Sequence, residues 1–469
     1  MISTTLAEIA TALGGRLAGD ADPDARVDAE VVVDSRAVRP GSLFAAVRGE
    51  RVDGHDYAKS AIDAGAVAVL AEHDTGTPAI VVDDVVAGLA ALARLVTDRL
   101  PATTVVGVTG SSGKTSTKDL LAQVLAHVGP TIAPPGSFNN EIGLPLTALS
   151  ATEDTRHLVL EMGARGVGHI AYLCQAVRPS IGVVLNVGTA HLGEFGDRAT
   201  IARAKGELVE ALPADGVAVL NADDPFVRAM AERTRARVVT FGESTNADVR
   251  AENVTLDELG RASFELCVPE GRAPVILRLY GEHHVANALA CAAVAREAGM
   301  TVEDLAAALG AAGTLSRWRM EVTRRADGVT VVNDAYNANP DSMRAALKAL
   351  VAMAGGKRTF AVLGEMRELG DASLTEHDAI GRLAVRLNIH RLVAVGGREA
   401  AWIDMGAKNE GSWGEESVLV PDVEAALEHL RGELAPGDVV LVKASRGAAL
   451  ERVADALLAD GGDDREVHG

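Results

Sequence analysis

The sequence predicts an α/β protein of three units. A small α/β unit comes first, a central unit with a mostly parallel sheet around a P-loop second, and a Rossmann-like α/β unit last. Three observations predict this. Short, nearly continuous apolar runs alternate with longer helical patterns, which suits parallel strands covered on both faces. A glycine-rich turn, Gly110-Ser111-Ser112-Gly113-Lys114-Thr115-Ser116, leaves one such run and enters a helical stretch. The length of 469 residues corresponds to about three ordinary domains. The expected boundaries are 1–101, 102–316 and 317–469.

In the first unit, residues 6–13 read as a short amphipathic helix ended by Gly14 and Gly15. Residues 29–33 and 43–47 read as strands, 57–64 as a helix stopped by Gly65, and 66–70 and 79–82 as strands. A helix over 85–100 ends at Pro101. In the second unit the clearest strands are 105–108, 157–160, 181–185 and 216–220. Helices are expected over 117–127 and 201–211. Residues 238–280 are strand-rich and less regular, and an Ala-rich helix follows over 284–298. Arg317-Trp318-Arg319-Met320-Glu321 reads as a junction. Beyond it come strands at 329–332, 359–363, 391–395 and 439–442, each running into a glycine or polar turn and then a helix.

Apolar residues make up 48% of the chain and aromatics only 3%, so the cores must be built from Val, Leu, Ala and Ile. A net charge of −20 argues against nucleic acid as a partner, because that binding needs basic surface to replace counterions. It leaves small anions open, since a few cations and a helix N-terminus suffice for a phosphate. Cys174, Cys267 and Cys291 form no C-x-x-C pair and read as reduced, buried thiols. The first residues lack the basic-then-apolar order of a signal peptide. No apolar run reaches the roughly 18 residues of a membrane span.

Strand, glycine turn, lysine, hydroxyl, helix is the order of a P-loop. Its glycines let backbone N–H groups face one concavity, and the helix N-terminus adds partial positive charge. Lys114 can reach the β- and γ-phosphates, and Thr115 can hold Mg²⁺. The common form carries a glycine where this chain has Val108, so the motif here is the shorter G-x-x-G-K-T. A bound ATP calls for a carboxylate at a neighbouring strand end, and Glu161 supplies one after Leu158-Val159-Leu160. A solvent-exposed strand end is an equal reading of Glu161 in isolation. His191 ends the run after the next strand, where ligands gather in parallel sheets, although a lone loop histidine is commonly just solvated. Lys205 is one of eight lysines, and spacing alone makes it a helix-surface residue. Glu207 at i+2 does not share its helix face.

These residues, in this order, resemble the Mur ligases, ATP-dependent amide ligases of peptidoglycan precursor synthesis. The resemblance runs through residues 109–115, Glu161, 186–191 and Ala204-Lys205-Gly206-Glu207. It continues through 281–289, Arg319-Met320-Glu321 and 333–340, and so covers essentially the whole chain. Three segments, 138–145, 161–164 and 336–340, resemble the members that join D-alanyl-D-alanine to a UDP-N-acetylmuramoyl-tripeptide.

The resemblance implies a UDP-binding first domain, a central ATPase domain and a third domain for the dipeptide. It implies that Lys205 is carbamylated and, with Glu161, His191 and Thr115, holds Mg²⁺. It makes Lys114, Lys205, His191 and Arg319 the catalytic set. Gly110, Ser111, Ser112, Gly113, Lys114, Thr115, Ser116, Asn287, Arg319, Asp334 and Tyr336 would hold ATP. Ser35, Arg36, Asn139, Asn140, Asn337, Lys443 and Arg446 would hold the other substrates. Where the family often has His-Asn, this chain has His283-His284, which puts the second histidine's role in question. A surface turn remains an equal reading of Asp34-Ser35-Arg36. A cytoplasmic monomer with a hinge near 311–318 is expected. The alternatives are a folylpolyglutamate-synthase-like ligase, which would lack the first domain, and a P-loop kinase, which would not need Lys205, Arg319 or Asp334.

Overall fold

The computed structural model describes residues 1–49, 51–188, 192–411, 416–460 and 466–467. It contains three principal sheets in chain order. The first has five strands, Arg16–Ala18, Ala79–Val81, Ala68–Ala71, Leu43–Ala45 and Val31–Val32, parallel except for its first pair.

The second sheet has nine strands. Thr104–Thr109 is third from one edge, between His157–Glu161 on one side and Ile181–Val184 on the other, all parallel. The chain thus moves outward in one direction, then returns to the other side of Thr104–Thr109. That reversal opens a crevice at the carboxyl ends of the strands, where ligands bind in open α/β sheets. Val217–Asn221, Arg237–Gly242 and Val249–Leu256 extend the parallel side. The irregular stretch expected near 238–280 resolves into the last two of these strands and an antiparallel edge, Arg261–Val268 and Gly271–Tyr280.

The third sheet has seven strands. Ser417–Val420, Arg391–Val395, Thr359–Leu363, Val439–Lys443 and Thr330–Asn333 are parallel, and Glu321–Arg324 and Glu466–Val467 pair antiparallel. Three of these strands were not expected, and Glu466–Val467 is only two residues long. Ser417–Val420 is short and only partly buried. Glu321–Arg324 starts on the last residue of what reads as a junction and holds one apolar residue, Val322.

Apolar burial follows the continuous strands. Val106, Val108, Val159 and Val183 are all fully buried. The helix His284–Glu297 is buried on nearly every side. Its alanines let it pack closely between the central sheet and the helix Lys114–Leu125. On the opposite face, one cluster runs without a break from Leu6, Leu70 and Leu89 in the first unit to Leu160, Met162 and Leu208 in the second. The helix Val85–Asp98 packs directly on Gly143–Leu149 and His169–Val177. All three cysteines are buried and unpaired. No helix among the described residues is long and apolar enough to cross a membrane.

Candidate active site

The glycine turn closes the strand Thr104–Thr109 and hands over directly to Lys114–Leu125. That helix begins three residues earlier than its apolar pattern suggests, because Lys114, Thr115 and Ser116 form its polar first turn. Gly113 holds φ +79°, a left-handed conformation, and a Cβ there would lie 2.7 Å from Asn287 Oδ1. Only glycine meets both demands. Val108 is a fully buried strand residue paired with Glu161 and Val183. A glycine is therefore not needed there, and the shorter motif is complete.

Asn186 braces the loop. Its Oδ1 accepts the amides of Ser111 and Ser112 at 3.0 Å each, and its Nδ2 donates to Ser112 O at 3.2 Å. Lys114 Nζ donates to Gly110 O at 2.8 Å. Burial lowers the pKa of this amine, and the Glu161 charge opposes that. Gly113→Ala is expected to weaken ATP binding at least about tenfold, since an alanine in the left-handed region alone costs roughly 1–2 kcal/mol. A fluorescent-nucleotide titration with an unchanged Kd would refute this.

Glu161 sits at the carboxyl end of its strand and is 1% exposed, which excludes the solvent-exposed reading. Its Oε2 accepts from Thr115 Oγ1 at 2.8 Å. Its Oε1 accepts from Ser137 Oγ at 2.7 Å and Asn139 Nδ2 at 2.6 Å. Thr115 Oγ1 also accepts from Arg319 Nη2 at 3.0 Å. One P-loop hydroxyl therefore joins a carboxylate of the central unit to a guanidinium that begins the third. The oxygens of Thr115 and Glu161 are the hard donors that Mg²⁺ prefers. The guanidinium lies 4.1 Å over the Tyr336 ring, and its buried Nε has no partner. An unpaired charged donor facing a phosphate loop fits a nucleotide.

Lys205 is 4% exposed, on the helix Arg198–Glu210. It is thus not the surface residue that spacing suggests. Burial first, and the charge of Lys114 second, push its pKa well below the usual lysine value. Glu207 turns elsewhere, accepting the amides of Gly168 at 2.5 Å and Ala171 at 3.0 Å at the start of the helix His169–Val177. Its use as a cap on a distant helix explains why i+2 spacing gave no pairing. His191 lies outside the described residues.

The third unit is closed on the second. Gly193 N donates to Glu368 O at 3.1 Å. A Cβ on Gly188 would come within 2.1 Å of Asp341 Oδ2. Trp318 and Met320, on either side of Arg319, hold φ of +60° and +49°, which costs of order 1–3 kcal/mol each for non-glycine residues. Asp334 Oδ1 accepts the Met320 amide at 3.1 Å, and Oδ2 accepts from Lys443 Nζ at 2.6 Å.

Lys443, expected to meet a substrate, is 2% exposed, lines the cavity described below and also donates to Asn337 O at 2.9 Å. It pins the 334–337 loop from inside the unit. Arg446 pairs with Glu451 at 3.0 Å and lies 4.1 Å over the Trp318 ring, away from the cavity wall. Within the chain it meets the junction at Trp318.

A cavity of about 880 Å³ joins these parts. Ser111 to Ser116, Asn139, Asn140, Glu161, Asn287, Arg319, Asp334, Tyr336, Asn337 and Lys443 line it. His283 and His284 line it too, and burial lowers both pKa values, that of His283 to about 4. Both histidines are therefore neutral around pH 7. Ser35 and Arg36 are not brought to this cavity. Arg36 is 89% exposed in the first unit and bonded to Asp34, whose pKa it holds at about 2. Sequence reasoning missed Ser137, which directly precedes the 138–145 segment. It also gave Asn186 no role, although Asn186 ends an apolar strand.

Three family models match the chain in order. "Mur ligase family, catalytic domain" matches residues 29–108, "Mur ligase middle domain" 108–295, and "Mur ligase, glutamate ligase domain" 318–446. The UDP-N-acetylmuramoyl-tripeptide--D-alanyl-D-alanine ligase of Mycobacterium tuberculosis is 54% identical over 98% of each chain. The ligase of the same name from Escherichia coli is 36% identical, covering 98% of this chain and 100% of that one. The crystal structure of MurF from Acinetobacter baumannii superposes with a TM-score of 0.89 at 31% identity, covering 97% and 99% of the two chains. MurF ligase from Thermotoga maritima in complex with ADP gives 0.81 at 34% identity, covering 92% and 98%.

Proposed function

The chain belongs to the Mur ligase family, and from that premise we propose that it joins D-alanyl-D-alanine to a UDP-N-acetylmuramoyl-tripeptide at the expense of ATP. The observation that carries the reading is the single Thr115 hydroxyl shared by Glu161 and Arg319. A P-loop kinase has no need of that junction between units. A folylpolyglutamate-synthase-like ligase has no need of the first unit, and relatives of the tripeptide–dipeptide class align over nearly the whole chain.

A carboxylate is a poor acyl donor because oxide cannot leave. Attack of the tripeptide carboxylate on the γ-phosphorus forms an acyl phosphate and releases ADP. The neutral amine of the dipeptide then adds to the acyl carbon, and the tetrahedral adduct collapses to amide and inorganic phosphate. Lys114 and the Ser111–Ser116 amides orient the phosphates. Arg319 spreads the charge that grows on the transferring group. Asn287 approaches the loop closely enough to meet the adenosine end, and Asp334 and Tyr336 stand on the third unit's side of the same cavity.

Thr115, Glu161, Lys205 as its carbamate and His191 would hold Mg²⁺. The metal supplies charge neutralisation on the phosphate oxygens. Burial favours the neutral Lys205 amine, the form that adds to CO₂ and loses a proton to give the carbamate. Asn139 and Asn140 face the tripeptide, with Asn337 beyond them toward the third unit. Ser35 and Arg36 offer an exposed cation and hydroxyl to the UDP end, and the third unit takes the dipeptide. Closure of the units keeps water from the acyl phosphate. Buried, unpaired thiols suit a reducing cytoplasm, and a monomer contains every part named.

The test is phosphate release on mixing the protein with Mg²⁺, ATP, UDP-N-acetylmuramoyl-tripeptide and D-alanyl-D-alanine. Release is expected only when all are present. Release that ignores either cosubstrate overturns the assignment.

A further inference from the structure

The junction that carries Arg319 is tied to the helix of the phosphate loop by side chains that touch no substrate. Gln123, two turns beyond Lys114 on Lys114–Leu125, makes a reciprocal pair with the backbone N–H and C=O of one residue, Gly313, just before the junction. Its Nε2 donates to Gly313 O at 2.9 Å, and its Oε1 accepts from Gly313 N at 3.0 Å. One turn nearer the phosphates, Asp119 Oδ2 accepts the Ser316 amide at 3.1 Å in a buried contact. Asp119 is itself fixed by the buried amine of Lys118, which also donates to Pro134 O at 2.7 Å.

These ties end three residues before Arg319. Beyond them, Trp318 and Met320 adopt left-handed backbones, which persist only where the surroundings over-determine them. The Trp318 amide is held by Glu321 Oε2 at 3.1 Å and that of Met320 by Asp334 Oδ1 at 3.1 Å. The segment is thus clamped at both ends, on the P-loop helix and on the third unit, with Arg319 between the clamps and its guanidinium on Thr115.

We propose that Gln123, with Asp119, is a positioning residue for Arg319. By gripping the 313–316 backbone, they make the helix that starts at the phosphates also fix where the guanidinium arrives. This rests on the phosphate role given to Arg319 above. A misplacement of about 1 Å at a reacting centre can cost about 10²-fold in rate, so these ties act on turnover more than on nucleotide affinity.

The test is the cycle formed by Gln123→Met, Arg319→Ala and the double variant, each assayed for phosphate release with all substrates. Methionine keeps the length and volume of the half-buried glutamine and removes both bonds to Gly313. Gln123→Met is expected to lower kcat at least about tenfold and to change KM for ATP less than about threefold. In the Arg319→Ala background the same substitution is expected to change kcat less than twofold, because the group it positions is gone. Equal losses in both backgrounds, or no loss in the first, overturn the proposal. Gln123→Ala provides an independent second arm with the same expectations. Should the unaltered chain release no phosphate, the ligase assignment fails rather than this one.

Discussion

Replacement of Lys205 by alanine is expected to lower turnover by about 10³-fold or more. In the metal role proposed for Lys205, losing it would remove several kcal/mol of charge stabilisation, and about 4 kcal/mol corresponds to three decades in rate. ATP binding is expected to change only a few-fold, because Lys205 does not line the cavity and the loop amides and Lys114 remain. The side chain is 4% exposed, with its pKa pushed well down. A buried ammonium beside Lys114 would be costly, whereas a carbamate in the same place brings a negative charge next to a cation. Short carboxylic acids fit the space left by the deleted side chain and are expected to restore part of the activity. For the unaltered protein, activity is expected to fall in CO₂-depleted buffer and to return on adding bicarbonate. Steady-state phosphate release measures all three effects. A variant with unchanged turnover would remove Lys205 from the mechanism.

Arg319→Ala carries the second large effect. A guanidinium brought to a transferring phosphoryl group from a separate element contributes about 10³–10⁵-fold in other phosphoryl-transfer systems, and a loss of at least about 10³-fold in kcat is expected here. Arg319→Lys is expected to recover less than about tenfold of it. The guanidinium bonds Thr115 while lying flat on Tyr336, and an ammonium has neither the planar fork nor the stacking face. Nucleotide affinity, read by titration, is expected to fall less than turnover, since the charge that Arg319 meets develops during transfer. Turnover within threefold of the unaltered protein would contradict this role.

Much of the fold was legible because its central strands are buried on both faces and read as unbroken apolar runs. The P-loop was legible because the conformation at Gly113 and its contact with Asn287 demand glycine. Less visible were side chains whose partners lie far away in sequence. Glu207 caps a helix some forty residues upstream, and Lys443 is spent on Asp334 and Asn337. Spacing suggests neither, since each is a long-range polar contact with no periodicity. Ser417–Val420 and Glu321–Arg324 escaped for a related reason. Edge and near-edge strands bury only part of their side chains, and these two are short. Glu161 was offered as the strand-end carboxylate by its place after an apolar run, whereas the metal role of Lys205 came only from resemblance. The structure adds that both are buried, a fact that local sequence does not carry.

The apolar cluster that runs from Leu6 and Leu89 to Met162 and Leu208 leaves no seam between the first two sheets. Prising them apart would expose those side chains to water at roughly 25 cal/mol per Å². The boundary with the third unit is crossed by polar ties and close glycine contacts, with Tyr280 alone of the second unit's side chains joining the third unit's apolar cluster among the described residues. The enzyme is therefore mechanically two bodies rather than three. In the proposed reaction, nucleotide and muramoyl-peptide would meet a rigid pair of units, and the third unit, carrying Asp334 and Tyr336, would come down on them last, the more weakly cohering boundary being the one that opens.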